Sequence, residues 1–211
     1  MTTAPRPPTT DSTPSADFFA HQTRHELSGP QWVARFPGSR LTHDLDPVFR
    51  VAVENFLAAL AGAGASVHIS STLRPKQRAY LMHWAHQVMR NDLSPTRVPA
   101  MAGVPIQWAH PSLAASIGAC TAMVEGFCIG HLRADVAPSL NTLHASGEAI
   151  DMTIEWSRTL SIKTHNGARV DIASEPRTGM NPQLHAVGLG YGVVKYAGGT
   201  KDKPHWSING H

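Results

Sequence analysis

The hydrophobic pattern of this chain changes period partway along its length, and that change constrains the fold more than any other feature. In the first part, apolar residues recur mainly at helical spacing. Asp46-Pro47 opens a helix running to about Leu60, with proline at the first helical position and Phe49, Val53, Phe56, Leu57 and Leu60 on one face. Pro75 starts a second helix through about Arg90, and Pro111 to about Ile129 reads as a third, apolar one. SVHISST (66–72) is strand-like, and residues 91 to 111 read as a loop. Later the period falls to two. AIDMTIEW (149–156) alternates as a strand, and TLSIKTH and ARVDIA flank Asn166-Gly167, a hairpin signal that suits a type I′ turn. A short helix from Asn181 to Val187 precedes two last strands, YGVVKY and PHWSI. Helices first, then strands with hairpin-like connections, predict an α+β fold with helices packed on a small antiparallel sheet, not a doubly wound one.

The 211 residues suit one domain and are enough for a core without staples. Residues 1–30 read as an N-terminal arm, Pro/Thr-rich over its first 16 or so, and 31–211 as the single domain. A formal charge of +3 helps approach to an anionic polymer, but no Lys/Arg run argues for nucleic acid. The N-terminus lacks the apolar core of a Sec signal, and the apolar stretch near 56–65 is too short to span a bilayer. The expectation is a monomer without a membrane span, made in the cytoplasm and taken by a route other than Sec to any substrate outside it. Cys120 and Cys128, if on one helix, lie ~12 Å apart, beyond disulfide reach, and read as small buried hydrophobes.

The stretch NTLHASGEAID carries His144 and Asp151 seven residues apart, with Gly147 between them. Their donor atoms meet at a metal only if the chain reverses: an extended segment separates them by ~23 Å, a continuous helix by ~10 Å. Ser146-Gly147 is a turn signal in the right place, since glycine tolerates positive φ. KDKPHWSI adds His205 at the start of a strand and Asp202 three residues earlier. Pro204 biases Lys203 toward polyproline II geometry, which would turn Asp202 and His205 to the same side. His144, Asp151 and His205 would then be three ligands, and Asp202 would reach a water there, the pattern a catalytic zinc site requires.

His144, Gly147, Ala149 and Asp151, followed by Asp202, His205 and Trp206, together resemble the two-part motif of zinc D-Ala-D-Ala carboxypeptidases and phage L-alanyl-D-glutamate endopeptidases, which share a fold with the hedgehog signalling domain. Thr142 stands where that family usually has serine, keeping the hydroxyl. STLRPKQ supplies the family's arginine as Arg74, with Pro75 in place of a small residue and Gln77 closer than usual. The likeness spans about residues 66 to 207, with a long insertion between the arginine helix and the first motif. It implies one Zn²⁺ on His144, Asp151 and His205, Asp202 as general base, and Arg74 on the oxyanion or a substrate carboxylate. It also implies peptidoglycan stem peptides or cross-links as substrate. A phage lysin, a secretion-system toxin and a non-Sec wall enzyme all fit. The competing readings are a non-catalytic zinc-containing binding or signalling domain on the same scaffold, and a zinc hydrolase of another amide; retention of Asp202 argues against inertness.

Other candidates have plainer readings. His83 and His86 lie three apart on a helix but read as a polar face, and Trp84 as the core face. His185 is a candidate for the cleft border, His165 and Asp171 read as surface, and His211 as a tail residue. Glu148 is expected to point away from the ligands, and Trp206 to be cleft wall or core.

Overall fold

The computed structural model describes residues 25–90, 92–132 and 137–211. Asp46 caps the first long helix, α1 (Pro47–Gly62), accepting hydrogen bonds from Val48 N and Phe49 N at 2.9 and 3.1 Å. Its buried face is Phe49, Val53, Phe56 and Leu60, with Leu57 on the shoulder. Each of these buried side chains stabilises the fold by about 1.5–3 kcal/mol. Strand β2 (Ser66–Ser71) follows, then α2 (Lys76–Met89) behind Pro75. The third helix, α3 (Leu113–Gly126), begins two residues later than expected because Ser112, not Pro111, supplies the cap: its Oγ accepts from Ala115 N at 3.1 Å. It ends before Cys128, the one described non-glycine residue with positive φ (57°).

The four-stranded sheet is antiparallel throughout, in the order β2, β4 (Ala149–Glu155), β8 (His205–Ser207), β7 (Val194–Lys195). Ile150, Met152 and Ile154 of β4 pack on α1 and on α4 (Pro182–Tyr191), whose cap Asn181 accepts from Gln183 N at 2.8 Å. The hairpin of β5 (Leu160–Lys163) and β6 (Arg169–Ile172) adds to this core as a separate two-stranded sheet. Its turn is not type I′. Gly167 N donates to Thr164 O at 2.9 Å and Thr164 N to Ala168 O at 2.8 Å, and only Gly167 takes positive φ (88°). Asn166 instead uses its side chain, accepting from Ala168 N and Thr164 Oγ1, so a three-residue loop replaces the two-residue one.

The antiparallel sheet is therefore not the whole β content. Strand β1 (Glu26–Leu27) pairs in parallel with β3 (Ile106–Gln107). This corrects two expectations: residues 91–111 contain a strand, and residues 25–30 belong to the folded body, not to an arm. Residues 1–24 of the expected arm lie outside the described residues. Around this pair a second apolar cluster forms from Trp32, α2 and α3, including Leu81, Val88, Cys120, Met123 and Trp108. Residues 95–129 supply more than half of its buried side chains, so this segment is a packed layer. Cys120 is buried as expected, and its thiol is pushed up to about 12 by burial, only partly offset by a bond with Ser28. Cys128 is exposed, contrary to expectation, because the chain has already left the helix. Both are free. No described helix is long and apolar enough to cross a membrane.

Candidate metal centre

The sheet register brings the first two ligands together. Asp151 of β4 lies directly opposite His205 of β8, and on its other side opposite Ser71 of β2. Directly opposed antiparallel residues hold their Cβ atoms about 4.5–5.5 Å apart. A register shift between Ile69 and Ser71 bends β2 at this point, and Ser70 Oγ donates to Asp151 O at 3.3 Å. His144 arrives from a 3-10 turn, Leu143–Ala145, whose cap is Thr142: its hydroxyl accepts from His144 N at 3.3 Å. Gly147 (φ 74°) then reverses the chain into β4. A Cβ there would lie 2.6 Å from Asp46 N, and Gly147 O accepts from that same nitrogen at 2.9 Å. The turn is thus locked against the cap of α1, which only glycine permits.

The three donor groups all lie within 4.8 Å of one another. His144 Nε2 and His205 Nδ1 each sit 3.1 Å from Asp151 Oδ1, and the two rings meet edge to face at 5.1 Å between centroids. Each ring's outer nitrogen donates to a backbone carbonyl: His144 Nδ1 to Thr72 O at 3.0 Å, and His205 Nε2 to His211 O at 3.1 Å. Those outer bonds orient the rings and leave the inner nitrogens as the atoms that could ligate a metal. Two imidazole nitrogens and a carboxylate oxygen, buried and convergent, make a cluster that could hold one metal ion.

Asp151 and His205 shift each other's ionisation. Burial pushes the Asp151 carboxyl up, but hydrogen bonds from His144 and His205, and their charges, outweigh it and hold the group well below the usual carboxylate range. Burial pulls His205 down, yet its bond to Asp151, that residue's charge, the His211 carbonyl and Asp202 together raise it. Asp202 is raised by burial first and by the Asp151 charge second, against the opposing pull of His205, His144 and Lys195. Burial lowers Lys195 to about 8, against the charges of Asp202 and Asp151.

The structure places Arg74 and Asp202 at the same cleft, of about 1570 Å³, that the cluster opens onto. Arg74 Nη2 lies 3.6 Å from Asp151 Oδ2, and its backbone N donates to His144 O at 3.0 Å. Asp202 ends a 3-10 turn, Gly199–Asp202, that continues through Lys203 in the right-handed helical region (φ −64°, ψ −36°). The polyproline II expectation for Lys203 is therefore wrong. The carbonyls of Asp202 and Lys203 turn inward to the Lys195 ammonium, and that tertiary contact overrides the local bias of the following proline.

Several plainer readings also change. His86 is not on a polar face; it is buried in the α2 layer with Nδ1 unpartnered. His83 Nδ1 donates to Pro138 O at 2.8 Å, so neither histidine joins the cluster. Trp84 is half-buried and forms cleft wall beside the α2–α3 core. His185 does not border the cleft: its Nε2 bonds to Gly179 O at 3.0 Å and its ring packs on Trp206, which is fully buried. His165 and Asp171 are exposed, and Glu148 takes a hydrogen bond from Ser146 Oγ away from the cluster. His211 is no bystander, since its carbonyl orients His205. Sequence reasoning missed it, Thr72 and Lys195 because each acts through main-chain atoms or on them, and a carbonyl leaves no signature in residue type.

No protein-family model matches this chain, and no curated protein or solved structure is significantly similar to it.

Proposed function

We propose that the chain is a zinc-dependent peptidase of the type its motifs resemble, hydrolysing an amide bond in peptidoglycan stem peptides or cross-links. The observation that carries this reading is the convergence of His144, Asp151 and His205 at the floor of a cleft that also contains Arg74 and Asp202. The donor set fits zinc: two imidazoles and one carboxylate, with further coordination left to water or substrate, is a common catalytic arrangement. A bound Zn²⁺ would supply a more acidic water and polarise the scissile carbonyl.

The chain's own residues supply the rest. Asp202 is exposed to the cleft and raised in pKa, so it is suited to take a proton from the attacking water and return it to the leaving amine. Arg74 holds a fixed positive charge beside Asp151 and faces the same space, where it would stabilise the oxyanion or hold a substrate carboxylate. The cleft exceeds the ~300–1,000 Å³ of a small-molecule pocket, which favours an extended substrate such as a branched stem peptide. Lys76, Lys201 and Lys203 on its rim favour an anionic one.

The test is digestion of purified peptidoglycan, with released fragments resolved by mass spectrometry, using wild type, wild type with EDTA, and Asp202→Ala. Fragments with wild type alone support the reading. A zinc-loaded wild type that releases none overturns it.

A further inference from the structure

The mechanism above leaves Lys195 without a role, although a buried ammonium is costly unless it is fully partnered. Lys195 is 7% exposed. It lies on β7, opposite Trp206 of β8, and its Nζ passes 5.2 Å from the centre of the Trp206 ring. The ammonium ends against three backbone carbonyls: Lys203 O at 2.6 Å, His205 O at 2.8 Å and Asp202 O at 3.5 Å. An ammonium has three N–H donors, and here three acceptors surround it. All three carbonyls belong to the short segment that carries Asp202 and His205. Two of them are carbonyls at the end of the 3-10 turn Gly199–Asp202, which its own helix cannot satisfy.

We propose that Lys195 is the positioning residue that sets this turn, and with it the placement of Asp202 relative to the ligand His205; the inference rests on the zinc-peptidase reading. The geometry separates the roles. The β-ladder fixes His205 through its backbone pairing with Asp151, and one further bond, Met152 N to Pro204 O at 2.9 Å, is the last from β4 to this segment. Asp202 lies three residues before that start, where no strand pairing holds it. The Lys195 ammonium bridges the gap, clamping the chain on both sides of Pro204. A methionine would fill the same channel over Trp206 with similar length, but with neither donors nor charge.

The test compares wild type, Lys195→Met and Lys195→Arg as full chains. Zinc affinity is measured by competition with a chelating dye, and kcat and KM on a soluble stem peptide with zinc saturating. Lys195→Met is expected to lower kcat about 10- to 100-fold, within the range for lost supporting contacts around a metal site, and to weaken zinc binding less than that. KM should stay near the wild-type value. Lys195→Arg, which keeps charge and donors, should recover part of the loss, a rescue that a purely packing role would not produce. A folded Lys195→Met with wild-type kcat and zinc affinity overturns the inference. Should Lys195→Met not fold, the Nζ protons of wild type, observed by ¹H–¹⁵N NMR, decide: slow exchange with water supports the three-carbonyl clamp, and fast exchange overturns it. Zinc binding without any stem-peptide cleavage by wild type would instead overturn the peptidase reading, and the zinc affinities and Nζ signature would still report on the clamp.

Discussion

The two apolar layers of this molecule do different work. One, built on α1, α4, the four-stranded sheet and the β5–β6 hairpin, holds Asp151 and His205 on adjacent strands and Lys195 on the next. The other, built on Trp32, α2, α3 and the β1–β3 pair, contributes none of the three residues of the candidate metal cluster. Its residues Tyr80, Met82, Trp84, Phe127 and Ile129 form apolar cleft wall instead. His144 and Arg74 come from segments at the seam, tied to each other by a backbone hydrogen bond of 3.0 Å. The difference teaches where precision comes from. A ladder of paired strands fixes Asp151 and His205 at known spacing, and the turns that carry His144 and Asp202 are anchored beside it. A helical layer with a two-residue parallel pair can shape a wall without carrying chemistry.

The sharpest way to break this division is to remove a reacting group and leave its scaffold untouched. Asp202→Ala is expected to lower kcat by ~10²–10⁴-fold, the usual contribution of a general base. Zinc content, measured by plasma mass spectrometry, should remain one ion per chain. A variant that loses its zinc would show Asp202 to be a ligand and not the base.

The same division explains which parts of the structure were legible beforehand. Asp46 and Asn181 announce helix starts because their side chains perform the capping, and the proline after each repeats the signal. The convergence of His144 and Asp151 was legible because a shared metal requires a turn between them, and Gly147 marks that turn; His205 joins them through the sheet register. The α2–α3 layer was legible as helices but not as a layer. Nothing in Glu26-Leu27 or Ile106-Gln107 shows that two residues from each will pair in parallel across some 80 positions of sequence. His86 was misread because a buried histidine and a solvated one look alike on a helical wheel. Lys203 was misread because the local preference of a residue before proline yielded to a distant ammonium.

Core substitutions sharpen the comparison next. Phe56→Ala removes a fully buried ring packed against Trp206, whose chain neighbour is His205. Met123→Ala removes a fully buried side chain from the other layer. Phe56→Ala should cost about 3–5 kcal/mol and Met123→Ala about 2–5 kcal/mol, read from denaturant midpoints. Zinc affinity should fall with the first and hold with the second. Equal losses of zinc affinity would mean that the layers act as one body toward the site.

The pH dependence of the metal-free chain separates His205 from His86 by sign. His205 has a raised folded value, so its contribution is complete below its ordinary 6.5 and is lost as pH rises through the raised one. His86, lowered by burial first and by Arg90 second, works oppositely: its contribution is complete above 6.5 and is lost as pH falls through the lowered value. His185, lowered by burial, follows His86. Asp151, held low, contributes above its ordinary 3.8 and loses that only in stronger acid. His205→Gln should therefore flatten the decline of the denaturant midpoint above pH 6.5, and His86→Gln should flatten the decline below it. Matching profiles for the two variants would contradict the opposed environments.

The smallest effect isolates what the second layer does for a substrate. Trp84 is half-buried on α2, with its neighbour His83 packed edge-on at 4.5 Å between ring centroids, and it lines the cleft. It supplies no group to the reaction, so any contact it makes with a substrate persists from the bound state into the transition state. Such uniform binding changes KM and leaves kcat alone. Trp84→Ala is accordingly expected to raise KM for a soluble stem peptide about fivefold, equivalent to about 1 kcal/mol, at unchanged kcat and zinc content. A fall in kcat at constant KM would mean that the helical wall tightens on the substrate only at the transition state, and the separation between a layer that reacts and a layer that holds would not survive it.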